Sequence, residues 1–181
     1  GPDWRGFEPL HVHGNPAFVR APVVIVPGLV GSALEVRLND APVPHWECAR
    51  DTYNSWKKVW LDPTLLMVPR WKNCLISYLT LVYNSSADSY SNLPGIEMRT
   101  RGYGEDDRLD MLYRFEFGAL LGVLEDELGY VLNHDLFLAP YDWRLAGDAH
   151  AKRPSSPGGI GGFYSELQGY IERGVKDTGR K

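Results

Sequence analysis

The chain has 181 residues, the size of one domain with a sizeable hydrophobic core. Hydrophobic residues make up 44% of it and charged residues 23%, a composition typical of an ordered globular protein and not of a disordered one. The net charge of −4 argues against nucleic-acid binding, and no apolar run approaches the roughly 18 residues of a transmembrane helix.

The first predicted element is a short strand followed by a tight turn. Residues 23–26 are an unbroken run of β-branched side chains between two prolines, typical of a strand buried on both faces in a parallel sheet. Gly28 and Gly31 follow at once and predict a sharp turn with uncovered backbone N–H groups. At the carboxyl end of a strand such a turn either holds a developing negative charge or is an ordinary connection.

Two later stretches have weaker patterns. Residues 35–43 alternate loosely and end in prolines, which predicts a loop or an edge strand. Residues 85–104 are polar and rich in turn-forming residues, which predicts irregular structure.

Cys48 and Cys74 are the only cysteines, and they enclose a segment rich in Trp, Leu and Met. Pro63 and Pro69 interrupt this segment, so it is not one continuous helix. An even number of cysteines leaves both free thiols and a disulfide open. Asn84-Ser-Ser is an acceptor sequence for N-glycosylation, which needs a secretory compartment where disulfides persist. Together these features favour a disulfide in a secreted or luminal protein.

The second half of the chain predicts two helices and one further strand. Apolar side chains at helical spacing predict a helix over about 110–128 that ends at Gly129. Residues 136–139 predict a short second strand. Apolar residues every four positions from Phe163 to Val175 predict a final amphipathic helix that ends at Gly179.

A polar and aromatic group follows the second predicted strand. Asp142 and Arg144 lie two residues apart, and we interpret them as a buried structural ion pair rather than as catalytic groups. Residues 146–162 are rich in Gly, Pro and Ser, which predicts a flexible surface insertion.

Several motifs in one order resemble the lecithin:cholesterol acyltransferase family, which includes lysosomal phospholipase A and the phospholipid:diacylglycerol acyltransferases. The matching segments are Val24-Ile-Val-Pro-Gly-Leu-Val-Gly-Ser-Ala-Leu-Glu35, Trp46-Glu-Cys48, Val59-Trp-Leu-Asp62, Leu81-Val-Tyr-Asn-Ser-Ser86, Pro94-Gly95, Gly102-Tyr-Gly104 and Ala139-Pro-Tyr-Asp-Trp-Arg144. Each is weak alone, but the ordered set at nearly the family's spacing is specific.

The resemblance implies an α/β-hydrolase, with residues 1–181 as the N-terminal part of its mostly parallel sheet and flanking helices. Family members use a Ser-Asp-His triad to take an acyl chain from a phospholipid, through a serine acyl-enzyme, and pass it to an alcohol or to water. No cofactor is implied. The expected partners are a phospholipid, an acyl acceptor (a sterol or an acylglycerol), and a membrane or lipoprotein surface. The expected location is secreted or luminal, in a lysosome, vacuole or endoplasmic reticulum.

The resemblance also assigns residues. The backbone N–H of Leu29 is expected to be one oxyanion-hole donor, and residues 48–74 a lid closed by a disulfide. Trp56 and Trp60 are expected to contact substrate or the lipid interface, and Asn84 to carry a glycan. The residues expected to support the site are Gly28, Gly31, Tyr141, Asp142, Trp143 and Arg144.

The sequence departs from the family pattern in one decisive respect. The Gly-x-Ser-x-Gly nucleophile elbow is absent from residues 1–181, since neither Ser32 nor Ser165 has the required neighbours. The triad is expected beyond Lys181, and this chain alone is expected to be inactive. The alternatives are a lipid-surface binding module without catalysis or an incomplete fragment.

Overall fold

The computed structural model describes residues 21–100, 117–152 and 162–179. The predicted start of the helix at about 110, the Gly102-Tyr-Gly104 motif and residues 153–161 of the predicted insertion lie outside these ranges.

A parallel pair of strands lies at the centre of the candidate site. Strand β1 (Val23–Ile25) pairs in parallel with the strand Leu136–Leu138, with Val24 opposite Phe137. Both strands were predicted. The strand Leu136–Leu138 is buried throughout, whereas in β1 only Ile25 is buried. Val23 and Val24 are half-buried and Val26 is 44% exposed, so the prediction that β1 is buried on both faces is only partly confirmed. Together with Leu121 and Leu124, Ile25 and Leu136 form one of the two hydrophobic cores of the described residues.

A three-stranded antiparallel sheet forms beside this pair. It contains β2 (Leu34–Leu38) in the middle, β3 (Lys57–Trp60) on one side and a strand at Ile96–Thr100 on the other. The prediction of a loop or edge strand at 35–43 is therefore wrong for residues 35–38, which lie in a central strand. The prediction of irregular structure at 85–104 is likewise wrong for residues 89–92 and 96–100, which both form strands. Among the described strands, antiparallel pairs outnumber the parallel one, so the described part is mixed α/β rather than mostly parallel.

Alternation explains the middle strand. Leu34, Val36 and Leu38 are buried on one face, whereas Glu35 and Arg37 bind Arg99 and Glu97 across the neighbouring strand. The buried face packs on helices α1 (Pro63–Met67) and α2 (Pro69–Leu79), each of which begins at a proline. Cys48, Val59 and Cys74 are buried in this second core, and the partly buried residues of the 48–74 segment that pack against it are Trp60, Leu65, Leu66 and Trp71.

The remaining elements complete the described part. Strands β4 (Leu81–Asn84) and β5 (Ser89–Asn92) form an antiparallel hairpin, and β6 is Ile96–Thr100. Helix α3 (Gly118–Gly122) continues as a π-helical turn over Val123–Glu127, and β7 is Leu136–Leu138. Helices α4 (Gly147–Ala151) and α5 (Phe163–Thr178) follow. In the described ranges, no helix combines the length and apolarity needed to cross a membrane.

The predicted helix ends are confirmed, but the predicted apolar faces are only partly buried. Gly129 and Gly179 both have the left-handed conformation of a helix-terminating glycine. In the α3 region Leu121 and Leu124 are buried, while Leu120 and Leu128 are exposed. The π-helical turn adds one residue per turn and so rotates Leu128 away from the core.

The first part of the predicted flexible insertion is ordered. Residues 147–151 form helix α4, and Ala149 and His150 are buried. We predicted flexibility from the glycine-rich composition of residues 153–162, and that composition does not indicate the short helix that precedes them.

Candidate active site

The turn after β1 lies at the carboxyl edge of the parallel strand pair. The Gly31 N–H donates to the Gly28 carbonyl at 3.0 Å, which closes a four-residue turn with Leu29 and Val30 at its tip. Leu29 is 72% exposed, and its backbone N–H has no hydrogen-bond partner among the described residues. Val30 has a φ of +60°, so the turn resembles type II, in which the third residue needs a positive φ. The predicted donor at Leu29 therefore lies at the edge of the sheet where α/β enzymes bind ligands.

Ser32 joins the loop after β1 to the loop after β7. Its side chain is fully buried, and its Oγ accepts a hydrogen bond from the Tyr141 N–H at 3.0 Å. Its carbonyl accepts one from the Trp143 Nε1–H, also at 3.0 Å. Ser32 is too buried and too well bonded to act as a nucleophile, and sequence reasoning did not find its structural role.

Trp60, at the end of β3, contacts the same turn. Its Nε1–H donates to the Val30 carbonyl at 2.7 Å, and its ring packs edge to face on Trp143 with the centroids 5.0 Å apart. The structure therefore brings together the turn, Trp60, Tyr141 and Trp143, which the sequence assigned to one site.

Asp142 and Arg144 form a nearly buried bidentate ion pair. Arg144 Nε and Nη2 donate to the two carboxylate oxygens at 2.8 and 2.6 Å, with 4% of the Arg144 side chain and 15% of the Asp142 side chain exposed. The carboxylate also accepts from the Arg144 backbone N–H, and the guanidinium donates to the Leu79 carbonyl. Because these groups are engaged with one another and with the backbone, the geometry agrees with a structural pair.

His150 is a buried residue of this region that sequence reasoning missed. It lies among Tyr141, Phe163 and Tyr164, with ring centroids 5.4 to 6.1 Å away, and borders a cavity of about 150 Å³. Burial lowers the pKa of its imidazole, although the Asp142 carboxylate and a hydrogen bond to the Leu145 carbonyl oppose that effect. Its Nε2 has no partner among the described residues. Burial also raises the pKa of the Glu166 carboxyl, which borders the same cavity.

Trp56 lies on a different surface. The guanidinium groups of Arg37 and Arg99 lie over its ring, 5.0 and 4.5 Å from the centroid. These arginines belong to the charged outward face of the antiparallel sheet. The structure therefore does not group Trp56 with Trp60 and the turn.

Cys48 and Cys74 form the predicted disulfide, with Cα atoms 5.4 Å apart. His45 Nε2 lies 3.5 and 3.7 Å from the two sulfur atoms, which makes this the one cluster of metal-ligand residue types in the described ranges. Because the sulfurs are bonded to each other and His45 bonds the Arg70 carbonyl, we assign no metal to it.

Asn84 ends strand β4 on an exposed hairpin. Its Oδ1 accepts hydrogen bonds from the backbone N–H groups of Ser86 and Ala87, at 3.0 and 3.2 Å. This turn leaves the side-chain amide accessible at the surface.

Comparison with known proteins identifies a family model and several relatives that are similar to this chain. The family model described as "Lecithin:cholesterol acyltransferase" matches residues 55–181. The phosphatidylcholine-sterol acyltransferases of Mus musculus and Homo sapiens are each 33% identical over 154 residues, which covers 83% of this chain and 32% of theirs. The lysosomal phospholipase A and acyltransferase of Canis lupus familiaris is 34% identical over 149 residues, 78% of this chain and 36% of its own.

The chain thus spans about a third of the length of these curated relatives. The region that the family model matches includes Trp60, Cys74 and the aromatic loop after β7. The chain belongs to the lecithin:cholesterol acyltransferase family.

Proposed function

We propose that the full-length protein is a lipid O-acyltransferase or phospholipase. It takes an acyl chain from a phospholipid through a serine acyl-enzyme and passes it to an alcohol or to water. The observation that carries this proposal is the exposed turn at Leu29, in a chain whose relatives are named for phosphatidylcholine-sterol acyltransfer and phospholipase A activity.

The turn supports one half of an oxyanion hole. A serine that attacks an ester carbonyl creates a negative oxygen, which backbone N–H groups stabilise by hydrogen bonding. The Leu29 N–H lies at the carboxyl edge of the parallel strand pair and has no hydrogen-bond partner among the described residues. In α/β-hydrolases the second donor follows the nucleophile, which we place in the part of the protein after Lys181.

We further propose that residues 48–74 form the lid and meet the lipid surface. Met67 in α1 is 81% exposed and Tyr53 is 90% exposed, so this segment presents apolar and aromatic side chains outward although its core is folded. Phospholipids at a membrane or lipoprotein surface are the partners that such side chains fit.

The disulfide supports a secreted or luminal location, because disulfides persist in oxidising compartments. We propose that Asn84 carries a glycan there. The exposed turn at Asn84 fits an acceptor site, and a loss of mass on treatment with peptide N-glycosidase that is absent in Asn84→Gln tests this.

The function is tested with the full-length protein and phosphatidylcholine vesicles, with and without a long-chain alcohol. Lysophosphatidylcholine should form in both conditions, and an ester of the alcohol only when the alcohol is present. A fluorophosphonate probe should label one serine and stop the reaction. Lipid binding without products or labelling would instead support a non-catalytic lipid-surface module.

A further inference from the structure

Val30 has a backbone conformation that its side chain disfavours. Its φ of +60° is usual for glycine or asparagine at this turn position, and it is an outlier for a β-branched residue. Such conformations persist only where surrounding contacts fix them, and they concentrate at functional sites. Specific contacts must therefore hold Val30 in this conformation.

Two indole groups hold the turn on both sides of Gly31. The Trp60 Nε1–H donates to the Val30 carbonyl at 2.7 Å, and the Trp143 Nε1–H donates to the Ser32 carbonyl at 3.0 Å. The two rings also support each other, edge to face, with 5.0 Å between centroids. Trp60 comes from β3 and Trp143 from the loop after β7, so two separate parts of the chain fix one turn.

We propose that Trp60 and Trp143 are positioning residues that hold the oxyanion turn in its strained form. If Val30 relaxes to a negative φ, the Leu29–Val30 peptide unit reverses, and the adjoining Gly28–Leu29 unit, which carries the Leu29 N–H, is no longer held in a fixed turn. A donor whose direction is not fixed before substrate binds stabilises the oxyanion less. The indole hydrogen bonds prevent this reversal before substrate arrives.

This inference rests on the proposed acyl-transfer function and gives Trp60 a role distinct from lipid contact. Trp60 lies between Cys48 and Cys74, just after the buried Val59 of β3. The segment proposed as the lid is therefore joined to the turn by a direct hydrogen bond. A lipid-contact role for Trp60 requires an interface, whereas a positioning role acts on every substrate.

The test uses Trp60→Phe in the full-length protein with a water-soluble short-chain ester. Phenylalanine keeps the aromatic packing on Trp143 and removes the N–H. We expect kcat to fall about tenfold or more, with KM changed less than about twofold, because the lost contact touches the turn and not the substrate. Trp143→Phe should behave in the same way, and Trp46→Phe, at a residue 89% exposed, should match the wild type.

A rescue separates positioning from general damage. Val30→Gly removes the steric cost of the left-handed conformation, so Trp60→Phe with Val30→Gly should recover most of the lost kcat. Any of three results would overturn the inference. They are a wild-type kcat in both Phe variants, a loss of activity seen only on vesicles, and no rescue in a double variant whose Tm equals that of the wild type. An inactive wild type would instead contradict the proposed function itself.

Discussion

Ser32 illustrates how much a single hydroxyl contributes to this fold. Ser32 is fully buried, and its Oγ accepts a part-buried hydrogen bond from the Tyr141 backbone N–H. A buried N–H without an acceptor destabilises the folded state by about 1–3 kcal/mol, because it loses its hydrogen bond to water and makes none in the protein. The neighbours of Ser32 in the sequence do not form a nucleophile elbow. The structure shows that Ser32 has a structural role, which no local sequence pattern indicates.

We therefore predict that Ser32→Ala lowers the free energy of unfolding by about 1–3 kcal/mol. Urea denaturation followed by tryptophan fluorescence measures this. Ser55→Ala, at an exposed position, is the matched control and should change stability by less than about 0.5 kcal/mol. Equal effects of the two substitutions would contradict the role of Ser32.

His150 makes stability depend on pH. In the unfolded chain its imidazole titrates near 6.5, whereas burial lowers the pKa in the folded state. Below pH 6.5 the unfolded state therefore binds more protons than the folded state, and the free energy of unfolding falls as pH falls until the folded imidazole is protonated too. Glu166 acts in the opposite direction at lower pH, because its raised pKa lets the folded state take up a proton first.

We predict that His150→Phe, which keeps an aromatic ring beside Tyr141 and Phe163, reduces the loss of stability between pH 7.5 and pH 5.5. Urea titrations of wild type and variant at both pH values give the comparison. His134→Phe, at an exposed turn, should leave the wild-type pH dependence intact. An unchanged slope in His150→Phe would show that other groups cause it.

At the scale of elements, helix α5 packs against the parallel strands at Gly174. A Cβ atom built on Gly174 would lie 2.8 Å from Phe137 Cε2 and 2.9 Å from Pro22 Cβ. The predicted apolar face of this helix, from Phe163 to Val175, includes Ile171, which is 45% exposed. The closest approach is thus made by a residue that lacks a side chain, which an apolar pattern cannot reveal.

We predict that Gly174→Ala destabilises the protein by about 1–3 kcal/mol, through overpacking against Phe137 and Pro22. Gly169→Ala in the same helix should stabilise it by about 0.5–1 kcal/mol, since nothing lies within 4 Å of the added Cβ. Thermal unfolding of the two variants checks the opposite signs. A stabilising Gly174→Ala would mean that α5 moves away from the strands at little cost.

Local patterns predicted the elements that depend on local chemistry. The β-branched run of β1 and the glycines that end the later helices act within a few residues. Pro63 and Pro69 were interpreted only as interruptions of a helix, whereas α1 and α2 begin at them. The central position of β2 depends instead on distant partners, such as Arg99, which lies 64 positions from Glu35. Local sequence patterns do not indicate which distant residues pair. The site was predicted as a set of residues, but not the hydrogen bond from Trp60 to Val30, because the direction of an indole N–H is set by tertiary packing.

At the scale of the whole molecule, one covalent bond joins helix α2 to the loop between β2 and β3. The disulfide joins residues 26 positions apart, and both cysteines lie within the core that includes Val36, Val59 and Tyr78. A cross-link that closes a loop of this size stabilises a protein by about 3–4 kcal/mol, mainly by restricting the unfolded chain.

We predict that Cys48→Ala with Cys74→Ala lowers the free energy of unfolding by about 3–4 kcal/mol. Urea denaturation of the oxidised wild type and the variant measures the difference, and wild type treated with a thiol reductant should move toward the variant. A difference below about 1 kcal/mol would show that packing of α1 and α2 alone determines the stability of the segment.

The pairing of β1 with β7 also sets an order of events during synthesis. The bond between Ser32 and Tyr141 joins residues 109 positions apart, and the antiparallel sheet lies between them in the chain. At a ribosomal rate of about 5–20 residues per second, β1 waits roughly 5–20 s after it is made for its partner to be made. The intervening sheet and its helices can assemble during that interval, whereas the candidate catalytic turn cannot be fixed until the loop after β7 arrives. The turn is therefore among the last parts of the described chain to take its final shape.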